Sequence, residues 1–154
     1  GVVIRQVVLG MPARLRADHI PRVTYTEPEL AQVGPDEAEA RAIWGARLVV
    51  ARAGFQHNDR AQASGAAEGF AKLMIVKGRV IGATVVGPHA GEVVAPLALA
   101  VSARMKVAAL AGVVLPYPTL AEIGKRAAGA YFSPKLFDNP VLKRVVRLVQ
   151  RVLP

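Results

Sequence analysis

The chain has 154 residues, a net charge of +9, an apolar fraction of 53% and no cysteine. This length suits one domain with a sizeable core, and the lack of cysteine excludes disulfides and thiolate metal sites within the chain. The basic residues are scattered, aromatic residues make up only 5% and no nucleic-acid motif occurs, so no nucleic-acid partner is expected. No apolar run reaches the ~18 residues of a membrane span. Because a signal-peptide pattern is also missing, we expect a cytoplasmic protein.

The order of apolar runs, prolines and glycines predicts an α+β fold, with an antiparallel sheet of about four to five strands packed against helices. Lys77-Gly78 joins two strand-like runs and indicates a hairpin. The elements predicted before the hairpin are a helix over Gly1–Leu9, a strand over Arg22–Thr26, a helix from Pro35-Asp36-Glu37 to Trp44, a strand over Ala46–Ala53 and a loop or short helical turn over His57–Gly65.

A long helix is predicted after the hairpin, from Pro88 near its first position to Arg104 near its end. It is apolar nearly all round, so one sheet face cannot cover it. A partner subunit is the natural second surface, and a homodimer is therefore expected. A short helix over Val107–Gly112 follows.

The segment Pro116-Tyr117-Pro118-Thr119-Leu120-Ala121-Glu122 combines a loop with a helix start. Thr119 can cap a helix from Leu120 to about Tyr131, with Glu122 as the acid of a capping box. A terminal helix with a basic face begins at Asn139-Pro140. A solvated face is the preferred interpretation of that helix, and contact with a membrane surface stays an alternative.

This segment resembles the His-Pro-Thr-x-x-Glu signature of the C-terminal dimerisation domain in FAD-dependent pyridine nucleotide-disulfide oxidoreductases. That family includes dihydrolipoamide dehydrogenase, glutathione reductase and mercuric reductase. Tyr117 stands where the signature has histidine, and Glu122 is kept. Other pieces resemble the same domain in the same order, namely Ile20–Gly34, Gly69–Leu73, Ile81–Gly87 and Ala90-Gly91-Glu92.

The resemblance implies a candidate site. In the family the histidine enters the partner subunit's active site as acid and base for a dithiol, the glutamate orients it, and the loop backbone lies beside the partner's flavin. Tyr117 and Glu122 are therefore the candidate catalytic residues, and Tyr117 and Pro118 the candidate cofactor-binding residues. Glu122 has capping as its preferred local role. A phenol, with a reference pKa of ~10 against ~6.5 for imidazole, is a poor proton shuttle near pH 7, although it can donate a hydrogen bond or offer oxygen to a soft metal ion.

The same resemblance implies a parent enzyme that passes hydride from NAD(P)H through FAD to a cysteine pair and then to substrate. Residues 1–17 resemble the tail of the preceding FAD-binding region, 18–138 the dimerisation domain, and 139–154 form the basic amphipathic helix. The FAD- and NAD(P)-binding domains would lie upstream. Residues 1–154 are expected to bind no flavin, nicotinamide or metal, and to be inactive alone. The alternative is a non-enzymatic α+β interaction module. The electron acceptor and the choice between NADH and NADPH stay open.

Overall fold

The computed structural model describes residues 3–12, 19–134 and 140–152. An antiparallel five-stranded sheet packed with helices forms its centre, which confirms the predicted α+β class. The strands are β1 (Arg22–Thr24), β2 (Glu29–Val33), β3 (Leu48–Gly54), β4 (Phe70–Val76) and β5 (Arg79–Gly87). The helices are α1 (Glu37–Trp44), α2 (Asp59–Ala63), α3 (Ala90–Ser102), α4 (Val107–Gly112), α5 (Glu122–Ala130) and α6 (Pro140–Val152).

The sheet has the strand order β1-β2-β5-β4-β3, with the hairpin strand β5 at its centre. Lys77 and Gly78 both take positive φ, +50° and +71°, as a two-residue hairpin turn requires. The predicted strand at Arg22 ends at Thr24, and β2 was not predicted as a separate strand. A buried Gln32 interrupts the apolar pattern of β2; its side chain accepts a hydrogen bond from the Thr84 hydroxyl on β5.

Alternate residues of the sheet face two different cores. On one face, α3 packs on β2 and β5 and α5 packs on β3 and β4, enclosing side chains such as Leu73 and Ile75. On the other face, α1 covers a smaller cluster that includes Met74 and Val76. Successive residues of β4 therefore enter the two cores in turn, because neighbouring strand residues point to opposite faces of the sheet.

Helix α1 begins where Pro35-Asp36-Glu37 predicted. Asp36 accepts a hydrogen bond from the Glu39 backbone N–H at 2.8 Å, and the Glu39 carboxylate accepts one from the Asp36 N–H at 3.0 Å. This reciprocal pair satisfies two N–H groups that the helix would otherwise leave without partners.

Helix α3 is shorter than predicted. It begins at Ala90 and ends at Ser102, so Pro88 lies two residues before it and Arg104 two residues after it. The Glu29 carboxylate on β2 accepts a hydrogen bond from the Gly91 N–H at 3.0 Å. This side chain from a neighbouring strand supplies the acceptor that the helix start needs.

The described residues near both ends of the chain are helical, as predicted. Ile4–Val8 forms a π-helical turn inside the predicted first helix. Helix α6 covers Pro140–Val152, which agrees with the predicted terminal helix, and exposes apolar side chains including Val145 and Leu148. The predicted segment boundaries at 17/18 and 138/139 lie outside the described residues. Among the described helices, none is long and apolar enough to cross a bilayer.

Candidate functional site

The candidate site is the loop between α4 and α5, together with the start of α2. Tyr117 is 70% exposed on this loop. Its hydroxyl donates a hydrogen bond of 2.7 Å to Oδ2 of Asp59, the first residue of α2. The peptide bond between Tyr117 and Pro118 is cis, and Pro118 is also exposed. Both side chains are therefore available to a second molecule.

Asn58 also anchors this loop, through a hydrogen bond to its backbone. Its side chain is completely buried. The Oδ1 atom accepts a hydrogen bond from the Ala61 N–H at 3.0 Å, which caps α2, and Nδ2 donates one to the Thr119 carbonyl oxygen at 3.0 Å. One side chain thus fixes the start of α2 and the loop at the same time.

Glu122 forms half of the predicted capping box. Its carboxylate accepts a hydrogen bond from the Thr119 N–H at 3.3 Å. The Thr119 hydroxyl does not return a bond to the helix; it donates to the Pro116 carbonyl oxygen at 2.9 Å. The helix begins at Glu122 and not at Leu120 as predicted, because Thr119 uses its side chain to close the turn before it.

The charges around Tyr117 keep its hydroxyl protonated. The hydrogen bond to Asp59 and the negative charge of that carboxylate raise the pKa of Tyr117 above its usual 10.0. Glu122 adds to this effect, and the guanidinium of Arg126 opposes it. Ionisation would place a phenolate beside a carboxylate, so the neutral phenol is favoured.

The structure brings the predicted residues Tyr117, Pro118 and Glu122 together on one loop, while Asn58 and Asp59 were missed as site residues. The available signal was the pair Asn58-Asp59, an N-cap residue followed by a first-turn acid. It identifies a helix start but not the loop that the helix contacts. Within the described residues no group of three or more His, Cys, Asp or Glu side chains could hold a metal ion.

Helix α3 offers a second surface. Its inner face is buried against the sheet, and Leu97 packs beside Gly124 of α5, where a Cβ would lie 2.9 Å from the leucine Cδ2. Its outward face exposes Ala95, Pro96 and Leu99, the last by 64%. The sheet therefore covers one side of this apolar helix and leaves the other free.

The family model "Pyridine nucleotide-disulphide oxidoreductase, dimerisation domain" matches residues 20–128. The chain belongs to this family. It is 36% identical over 130 residues to dihydrolipoyl dehydrogenase of Geobacillus stearothermophilus and 37% identical over 130 residues to that of Bacillus subtilis. Each match covers 83% of this chain and 27% of the relative. The chain thus spans about a quarter of the length of the curated relatives that it matches.

Solved structures agree with the fold. The crystal structure of LpdA from Mycobacterium tuberculosis has a TM-score of 0.74 and 29% identity, covering 82% of this chain and 28% of that one. The Cu(II) complex of the HOCl-induced flavoprotein disulfide reductase RclA from Escherichia coli also has a TM-score of 0.74, at 21% identity, over 82% of this chain and 30% of that one. The domain is the dimerisation domain of dihydrolipoamide dehydrogenase-like flavin disulfide reductases, and these findings favour it over the interaction module.

Proposed function

We propose that this chain is the C-terminal part of an FAD-dependent NAD(P)H oxidoreductase that works as a homodimer, in which the loop from Tyr117 to Glu122 enters the active site of the partner subunit. The observation that carries the proposal is the exposed Tyr117 hydroxyl, which Asp59 holds on the loop that resembles the family's signature, with Tyr117 in place of its histidine. The outward face of α3 also supports a subunit interface. It exposes Ala95, Pro96 and Leu99, and such apolar surface is more stable when a second molecule removes it from water.

The identity of the side chain at position 117 bears on the substrate. A thiol that attacks a disulfide must lose its proton, and a base with a pKa near neutrality serves this best. Tyr117 has a raised pKa, so it stays protonated at pH 7: no phenolate is present to take up a proton, and the phenol itself is a weak acid. We therefore propose that the parent enzyme turns over dihydrolipoamide poorly. The second candidate substrate, which the resemblance leaves open, is a mercuric ion; as a soft ion it would take the thiolates of the expected cysteine pair as ligands in preference to the protonated phenol.

The test is a steady-state assay of the full-length, FAD-loaded enzyme with dihydrolipoamide, for wild type and Tyr117→His. General acid–base catalysis is typically worth ~10²–10⁴ in rate, so the histidine variant should be faster by up to that factor. A wild-type enzyme as fast as a histidine-bearing relative would overturn the proposed consequence of Tyr117. An unchanged rate in Tyr117→His would mean that the loop does not face the partner's active site.

A further inference from the structure

Two carboxylates lie near Tyr117, and they accept hydrogen bonds from different groups. The Glu122 carboxylate accepts a hydrogen bond from the Thr119 N–H at 3.3 Å and so serves the loop backbone. The carboxylate that bonds to the Tyr117 hydroxyl belongs to Asp59, which comes from a different element, α2. In this chain, therefore, the side chain at position 117 is oriented from α2 and not from within its own motif.

The direction of the bond decides what Tyr117 can offer a second molecule. A phenol has one proton and also accepts hydrogen bonds. Because the proton is donated to Asp59, the oxygen presents lone pairs to the outside. A bond donated to an anion also polarises the hydroxyl and strengthens its oxygen as an acceptor. A group with a proton to give, such as a thiol, fits this arrangement better than a thiolate or another anion beside the Asp59 carboxylate.

We propose that Asp59 is a positioning residue: by accepting the hydrogen bond from Tyr117, it turns the lone pairs of the phenolic oxygen toward the partner's active site, where they accept a hydrogen bond from a thiol. This rests on the proposed function. No proton leaves the phenol, so Tyr117 and Asp59 orient the thiol and do not act as its base.

The surroundings favour this arrangement. The other charged groups that act on Tyr117 are Glu122, which favours the neutral phenol, and Arg126, which opposes it; both lie on α5. The buried Asn58 fixes the loop at Thr119, next to these groups, so that the distance between phenol and carboxylate is set by the fold.

The first test uses the 154-residue chain, labelled with ¹³C at the tyrosine Cζ. The Tyr117 resonance is identified by its loss in Tyr117→Phe, and its titration is followed in wild type, in Asp59→Asn and in Glu68→Gln. The last variant removes an exposed carboxylate from the loop before β4. Asp59→Asn should lower the pH at which Tyr117 titrates, because a neutral acceptor no longer opposes the phenolate, and Glu68→Gln should leave it unchanged. A titration that is the same in Asp59→Asn as in wild type would overturn the pairing.

The second test uses the full-length enzyme and its rate with a thiol substrate at pH 7. Asp59→Asn should lower the rate by roughly 10-fold, the loss expected from one weakened hydrogen bond, and Asp59→Glu should restore part of it. In the Tyr117→Phe background Asp59→Asn should cause no further loss, because Asp59 acts through the phenol. A residue that only supports the fold would lower the rate equally in both backgrounds.

The outcomes separate the two proposals. A lower rate in Tyr117→Phe with an unaltered rate in Asp59→Asn would overturn the positioning role of Asp59 and leave the proposed function standing. Full activity in both variants would overturn the proposed function itself, whatever the titration of Tyr117 shows.

Discussion

The Asn58 side-chain amide donates a hydrogen bond of 3.0 Å to the Thr119 carbonyl oxygen, 61 positions further along the chain. Next to it, Asp59 accepts a hydrogen bond from Tyr117. Two consecutive residues of one short helix start thus hold the backbone and the side chain of the candidate loop. The loop that carries the exposed tyrosine is consequently anchored by the buried Asn58 side chain.

Asn58→Asp separates the capping role of this residue from its hold on the loop. Aspartate caps a helix as well as asparagine does, but its carboxylate cannot donate to the Thr119 oxygen. We expect the free energy of unfolding to fall by roughly 2–3 kcal/mol at pH 7, because the partly buried Thr119 carbonyl loses its donor and a charge is buried beside it. Chemical denaturation measures this.

The matched control for Asn58→Asp is Asp36→Asn, the reverse exchange at the exposed cap of α1. It should change the free energy of unfolding by less than ~0.5 kcal/mol. The deficit of Asn58→Asp relative to wild type should shrink as the pH falls, since the protonated carboxyl can donate again. An equal loss in the two variants would contradict the assigned role of Asn58.

Gly82 has no room for a side chain. A Cβ at this position of β5 would fall against the Pro35 carbonyl oxygen, which is fixed backbone just before α1. Gly82→Ala should therefore lower the free energy of unfolding by about 1–3 kcal/mol or more. Gly129 in α5 is the control, because a Cβ there meets nothing within 4 Å.

Gly129→Ala should be neutral or stabilising by up to ~1 kcal/mol, since alanine favours helix over glycine. Thermal unfolding of the two variants decides the matter. A Gly82→Ala protein as stable as wild type would show that α1 does not approach β5 as closely as described.

The sequence predicted those parts of the fold that depend on neighbouring residues. Lys77-Gly78 specified the hairpin and Pro35-Asp36-Glu37 the start of α1, because turn and cap chemistry acts over a few positions. Strand β2 was missed since its buried Gln32 looks like a surface residue, and the Thr84 partner that satisfies it is 52 positions away.

The candidate site shows the same limit. The motif from Pro116 to Glu122 identified the loop, because its residues are adjacent in sequence. The contact between Asp59 and Tyr117 joins residues 58 positions apart and has no local signature. Thr119 was predicted as a helix cap, but its hydroxyl bonds backward to Pro116. The local pattern permits both bonds, so only the folded structure distinguishes them.

The outward face of α3 is expected to form the subunit interface. Leu99→Glu should weaken the dimer, because association would bury an unpaired carboxylate. The control is Ile43→Glu on α1, at the opposite face of the sheet, where the wild-type side chain is 61% exposed against 64% for Leu99. Sedimentation equilibrium of wild type and both variants measures the dissociation constant.

Leu99→Glu should raise the dissociation constant of the dimer by about 100-fold or more, which corresponds to one strongly contributing interface residue. Ile43→Glu should leave it near the wild-type value. The opposite pattern, or a wild-type chain that is monomeric at micromolar concentration, would contradict the expected interface.

Glu37 links α1 to the sheet through ion pairs of 2.8 Å with Lys72 and with Arg41. The hydrogen bond from Lys72, followed by that from Arg41, lowers the pKa of Glu37 below its usual 4.5. A lowered folded-state pKa means that the stabilisation is present above the unfolded-state pKa and is lost as the pH falls through the folded one.

Relative to wild type, Glu37→Gln should therefore lower the free energy of unfolding by at most ~1 kcal/mol at pH 7, since the pairs are partly exposed. The difference between the two proteins should close between about pH 5 and pH 3. Urea denaturation at several pH values and low salt measures it. A difference that is independent of pH would mean that Glu37 contributes by packing and not by charge.

The central claim is that Tyr117 acts in the active site of the partner subunit, and mixed dimers of the full-length enzyme test it most directly. One subunit carries Tyr117→Ala, and the other carries serine in place of the expected upstream cysteine pair. Each homodimer should be impaired. The purified heterodimer combines one intact cysteine pair with one intact Tyr117 across the interface, so it should recover up to about half of the wild-type rate, one active site of two. A heterodimer no more active than the two impaired homodimers, or a Tyr117→Ala homodimer as active as wild type, would contradict the account.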